Sequence, residues 1–148
     1  MKEFKSLVGE VELVYKKKSN KKIKILQSSD TIEYLRSIWP SDISIRECFL
    51  VLFLNRCNNI ISHYIVSMGG INGTVIDVRM IAKAGIDCLA SGVILSHNHP
   101  SGNINPSNND IELTKKISEG LKLLDMQVLD HIIISDDEYY SFIDNGNI

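Results

Sequence analysis

With 148 residues, 44% of them apolar and 23% charged, and a net charge of −2, the chain has the balance of a soluble globular protein. It is most simply one domain, long enough to bury about 70% of its unfolded surface without cross-links. The longest apolar run, Phe49 to Leu54, is far short of a membrane span, and the opening Met1-Lys-Glu-Phe-Lys carries no secretory leader, so the expected location is cytoplasmic.

The charge is unevenly spread. Residues 1–28 hold eight lysines against three acids, whereas the remaining 120 residues hold eight lysines and arginines against fifteen acids. In the basic part Val11, Leu13 and Tyr15 alternate with Glu12, Val14 and Lys16, and Ile23 and Ile25 alternate with lysines beyond a Ser19-Asn20 turn. This patterning predicts a hairpin over residues 1–28 laid on a domain of residues 29–148. The lysines from Lys16 to Lys24 offer a surface for nucleic acid or another polyanion. They more simply make a solvated hairpin tip, since Ser19-Asn20 is good turn chemistry and no aromatic residues are interleaved for base stacking.

Ser28-Ser29-Asp30 predicts the start of a short helix that Trp39-Pro40 ends, with Trp39 as a lid on the core. Ile45 to Leu54 reads as a strand, and Asn58-Asn59 turns it into an antiparallel partner from Ile60 to Ser67, on which His63 is structural or exposed. Met68 to Gly73 is a loop that lacks the Gly-x-x-x-x-Gly-Lys pattern of a phosphate cradle. Asp77 to Leu89 reads as a helix with Ile81, Ala84 and Cys88 on one face. Cys48, Cys57 and Cys88 stand far apart with no Cys-x-x-Cys pair, which predicts reduced thiols and not a zinc ribbon or a disulfide framework.

Gly92 to Leu95 is apolar enough for a buried central strand, from which the chain emerges as Ser96-His97-Asn98-His99-Pro100. On extended backbone His97 and His99 point to one side and Asn98 to the other. Pro100, Gly102 and Pro106 break the strand, and Ser107 stands at the N-cap position of a helix running to Leu124, which places Asp110 in its first turn. Two imidazoles and a carboxylate are a three-donor set for Zn²⁺ with one coordination position left for water, the arrangement of a metal hydrolase. The same residues admit a plainer reading, in which Ser107 and Asp110 form only a capping box and each histidine bonds to loop backbone. Beyond the helix, Gln127 to Ile134 reads as a strand carrying an Asp130-His131 pair that either backs a metal ligand or is structural, the structural role being preferred because no partner is visible, and Tyr139 to Ile143 as a last short strand after an Asp136-Asp137 turn.

The spacing His97-x-His99, seven residues, Ser107, two residues, Asp110 resembles the JAMM (JAB/MPN) metallopeptidase motif. Within that superfamily His-Asn-His-Pro-Ser-Gly, then Pro-Ser-x-x-Asp and Leu-Asp-His-Ile are similar to the RadC family over about residues 30–145. The resemblance implies an α/β fold, a curved mixed sheet flanked by helices in a cytidine-deaminase-like layout, with zinc held by His97, His99 and Asp110. It also implies that Glu47 is the general acid–base and Ser107 a donor to the oxyanion. Propensity alone does not separate Glu47 from Asp42, Asp77 or Asp87. The activity implied is amide hydrolysis of a peptide or isopeptide substrate. The alternatives are a DNA-repair accessory protein that binds DNA and a non-catalytic MPN scaffold. The residues do not form the ββα unit of an HNH nuclease, nor do they carry the Pro-Cys-x-x-Cys of a zinc deaminase. The helix-hairpin-helix region usual in full-length RadC proteins is not recognisable here, and oligomeric state is not legible.

Overall fold

The structure, a computed structural model, describes residues 18–69 and 75–148 together with Val8, Gly9 and Glu12. Its elements are α1 (Ser28–Ile38), β1 (Cys48–Leu54), β2 (Ile60–Met68), α2 (Val78–Asp87), β3 (Gly92–Asn98), α3 (Asn108–Lys122), β4 (Gln127–Ile134) and β5 (Tyr139–Ser141). The strands form one mixed sheet in the order β2-β1-β3-β4-β5, in which only β3 and β4 run parallel. A parallel pair of neighbours needs a crossover, and α3 supplies it.

Strand alternation divides the core into two layers. Phe49, Val51, Phe53, Val93 and Leu95 face α2 and α3, meeting Ile81, Ile117 and Leu121. Leu50, Leu52, Leu54, Ile94, Ile132 and Ile134 face the other way onto Ile32 and Leu35 of α1. All seven residues of β1 and of β3 are buried, which explains their unbroken apolar runs. This α/β architecture agrees with the expected JAB/MPN fold.

Element boundaries shift by a few residues from the sequence expectation. The strand read from Ile45 begins only at Cys48, because Asp42 accepts from the Ser44 amide and hydroxyl and its carbonyl accepts from Ile45 N, closing a turn that leaves Ile45 exposed. Gln27 stands at the N-cap of α1, its backbone amide donating to Asp30 Oδ2 at 3.2 Å and its backbone carbonyl accepting from Asp30 N at 3.1 Å, one residue before the predicted start. Helices α2 and α3 stop two residues early, followed by Leu89 and Asp125 in left-handed backbone at φ 57° and 55°. The final strand is three residues long, since beyond it the Ile143 amide turns aside to Asp130. Trp39 packs against the α1-side core as expected, while His63 is exposed.

The first arm of the predicted hairpin and the glycine loop from Gly70 to Gly73 lie outside the described residues, apart from Glu12. The second arm pairs with the start of β2 through a bridge between Lys24 and Asn59, and Lys18, Lys21, Lys22 and Lys24 are exposed. Cys48, Cys57 and Cys88 are free thiols, the first and last of them buried. Among the described residues no helix is long and apolar enough to cross a membrane.

Candidate metal centre

Three segments meet at one end of the sheet. In the antiparallel register Phe49 of β1 lies opposite His97 of β3, so the residues just before β1 sit beside those just after His97. The N-terminus of α3 closes the third side. Its N-cap Ser107 takes the Asp110 amide on its Oγ at 3.1 Å, and the Asp110 carboxylate accepts from the Ser107 amide at 2.7 Å.

The two readings of Asp110 are therefore compatible. Its Oδ2 completes the capping box and also accepts from the Ser107 hydroxyl at 2.7 Å, while Oδ1 stands 3.2 Å from His97 Nε2. His99 Nε2 lies 3.4 Å from Asp110 Oδ2 and 2.9 Å from His97 Nε2. Donors bound at 2.0–2.1 Å around a tetrahedral Zn²⁺ stand ~3.3 Å apart, close to these separations. His99 Nδ1 hydrogen-bonds the Asn103 carbonyl, which can only accept, so in the neutral ring Nε2 carries the lone pair. Two imidazole nitrogens and a carboxylate gathered at one point are the chemistry of a cation site, and His97, His99 and Asp110 fit Zn²⁺.

The electrostatics agree. The hydrogen bond to Asp110 raises the His99 pKa above 6.5 against the effect of burial, and the charge of Glu47 adds to the rise. Burial alone would raise the Asp110 carboxyl, but hydrogen bonds from His97 and His99 together hold it well below the usual carboxylate range. The carboxylate also lies at the positive end of α3.

These groups line a cleft of about 430 Å³ that also holds Glu47 and Ser107 and is walled by Phe49, Ile76 and Leu113. Glu47 is half-buried, and its backbone is held on both sides. The buried Asn98, which strand alternation turns away from the histidines, accepts from Cys48 N at 2.7 Å and donates to Ile43 O at 2.6 Å and Arg46 O at 2.7 Å. The Glu47 carbonyl accepts from Gly69 N at 2.9 Å. The other candidates, Asp42, Asp77 and Asp87, do not line this cleft. Asp42 caps its own turn, Asp77 caps α2 and pairs with Arg79, and Asp87 pairs with Lys83.

Of the residues behind the first histidine, the sequence names His131 as part of a pair with Asp130 for which the structural role is preferred, and it does not single out Thr114. Asp130 and His131 separate. Asp130 ties β4 to the C-terminal turn through Ser141 Oγ and Ile143 N, whereas His131 reaches His97, with Nε2 2.8 Å from His97 Nδ1. His131 Nδ1 lies 2.6 Å from Thr114 Oγ1, and the ring is packed between Phe49 and Phe142. Full burial drives its pKa well below 6.5. Thr114 was legible as one helical turn beyond Asp110, but His131 needed the parallel seating of β4 on β3.

Similarity to known proteins covers the same region. A family model described as RadC-like JAB domain matches residues 25–147. A UPF0758 protein of Flavobacterium johnsoniae is 52% identical over 100 residues, 68% of this chain and 44% of that relative. One of Staphylococcus haemolyticus is 41% identical over 135 residues, 91% of this chain and 58% of the relative, and one of Methanosarcina mazei is 42% identical over 101 residues, 68% and 44%. The chain spans about half the length of the curated relatives it matches. On these matches and this fold, the chain belongs to the RadC-like JAB domain family.

Proposed function

We propose that the chain is a zinc-dependent amide hydrolase of the metallopeptidase or isopeptidase type, acting on a peptide or isopeptide substrate in the cytoplasm. The observation that carries this reading is the convergence of His97 Nε2, His99 Nε2 and the Asp110 carboxylate at the head of a cleft that also contains Glu47. A bound Zn²⁺ there supplies a Lewis acid that polarises the scissile carbonyl and acidifies water. Glu47 takes the proton of the attacking water and returns it to the leaving amine, general acid–base work suited to a carboxylate half-open to solvent. Ser107 turns its hydroxyl from Asp110 Oδ2 to the oxyanion as negative charge develops there.

The experiment is hydrolysis of a peptide and isopeptide panel by the zinc-loaded chain and its Glu47→Gln variant. Loss of a factor of ~10²–10⁴ in kcat with zinc content unchanged is expected. A Glu47→Gln variant as active as wild type would overturn the role of Glu47, and a wild-type chain inert toward the whole panel would count against the hydrolase.

A second reading, DNA binding, is favoured by one feature. Lys18, Lys21 and Lys22 line a groove of about 420 Å³ with Tyr34 and His63, away from the metal centre. Duplex and single-stranded DNA binding across a salt series tests it, and affinity that does not fall with salt would exclude a phosphate-contacting surface.

A further inference from the structure

The metal centre has a second tier, and its hydrogen atoms can be assigned by following the donors inward from an atom that can only accept. Thr114 Oγ1 lies 2.6 Å from the backbone carbonyl of Asp110 and 2.6 Å from His131 Nδ1. A hydroxyl has a single hydrogen. The carbonyl must receive it, so Thr114 Oγ1 accepts from His131 Nδ1–H. The His131 ring is fully buried between Thr114 and His97, neither of them a carboxylate that could offset a buried charge, so it stays neutral with its lone pair on Nε2, the atom 2.8 Å from His97 Nδ1. His97 must therefore carry a proton on Nδ1, so the nitrogen that a neutral His97 leaves free for a metal is Nε2, the one beside Asp110 and His99.

We infer that Thr114 and His131 are positioning residues that lock His97 in the tautomer able to bind a metal, through the chain Asp110 C=O, Thr114 hydroxyl, His131, His97. The inference rests on the metal-site reading above for its purpose, but the tautomer itself does not. Packing supports the lock. Phe49 stacks on His97 at 6° between ring planes, with centroids 5.9 Å apart, and Phe142 stacks on His131 at 4.7 Å, so neither ring is placed to rotate and choose another partner. The chain starts on α3 and ends facing it, since the carbonyl that sets the first proton belongs to Asp110, whose own carboxylate stands beside His97 Nε2 at the far end. Orientation of a ligating imidazole by a partner on its far nitrogen is general in metal sites, and losing that partner costs 10–100-fold in affinity. Here the partner is a second imidazole whose polarity is set one residue further back.

The test is nitrogen-15 NMR of the histidine rings in metal-free protein, at a pH high enough for the rings to be neutral, read alongside zinc titration. Wild type should show His97 protonated at Nδ1 and unprotonated at Nε2. Thr114→Val keeps the shape and leaves the Asp110 carbonyl its helical partner, but removes the acceptor for His131 Nδ1–H. His131 should then shift its proton to Nε2 and donate to His97, giving His97 the Nε2–H tautomer and zinc affinity lower by ~10–100-fold. Thr114→Ser should restore both readouts, which separates the relay from packing. A wild-type His97 protonated at Nε2, or a folded Thr114→Val protein with unchanged tautomer and zinc affinity, would overturn the inference. A chain that shows the Nδ1–H tautomer but binds no zinc would uphold the relay and remove the metallohydrolase reading.

Discussion

Replacing Asn98 with Ala should destabilise the protein by about 3 kcal/mol without touching a metal donor. The side chain is fully buried and makes three hydrogen bonds, one to Cys48 N and two to the carbonyls of Ile43 and Arg46. The Cys48 amide is out of reach of water, so leaving it unpaired costs ~1–3 kcal/mol. The two carbonyls belong to residues that are half-buried and exposed, where water replaces part of the bond, and each should cost nearer ~0.5–1.5 kcal/mol. At ~2–4 °C per kcal/mol for a domain of this size, Tm should fall by about 6–12 °C. Asn98→Asp should be at least as damaging, because it sets a buried carboxylate oxygen against both carbonyls. The assay is urea unfolding at constant m-value. A loss below ~1 kcal/mol, the ordinary cost of a point substitution, would refute the clamp. The clamp also brackets Glu47, so under the proposed function hydrolysis should drop further than zinc affinity.

Asp130→Ala should cost several kcal/mol in the same assay, since the buried carboxylate holds Ser141 Oγ and the amides of His131 and Ile143, whereas Asp130→Asn should keep most of that stability. Ser107→Ala should lower stability by about 1 kcal/mol through the lost cap of α3, a cost that Ser107→Thr largely avoids. Burial pushes the Cys48 thiol up from 9.0 to about 11. Its folded form therefore keeps a proton that the unfolded chain releases, so its contribution is full below pH 9.0 and is lost as pH rises towards 11. Unfolding midpoints followed across that interval should fall less for Cys48→Ala than for wild type, and equal slopes would contradict the assignment.

The parts of the fold that were legible are those whose signals are local. The apolar run of β3, the break at Pro100 and Pro106 and the Ser107-Asp110 box fixed where two histidines and an acid would emerge, and the structure places them within hydrogen-bond range of one another. At Ile45 the β-branched pattern continued past a turn that only Asp42 reveals, and the strand was read three residues too long. Asp130 and His131 were read as a pair because they are neighbours in sequence. In a strand, neighbours point to opposite faces, and only the seating of β4 beside β3 shows that one ties down the C-terminus while the other backs His97. Glu47 was chosen by resemblance, and its place in the cleft became visible only with the Phe49–His97 register.

The most direct test of the central claim is the zinc stoichiometry of the purified chain beside His97→Ala and Asp110→Asn variants that retain the wild-type fold. The account predicts one tightly held Zn²⁺ per chain in wild type and loss of that ion in both variants. A wild-type chain that binds none, or variants that bind as well as wild type, would contradict it.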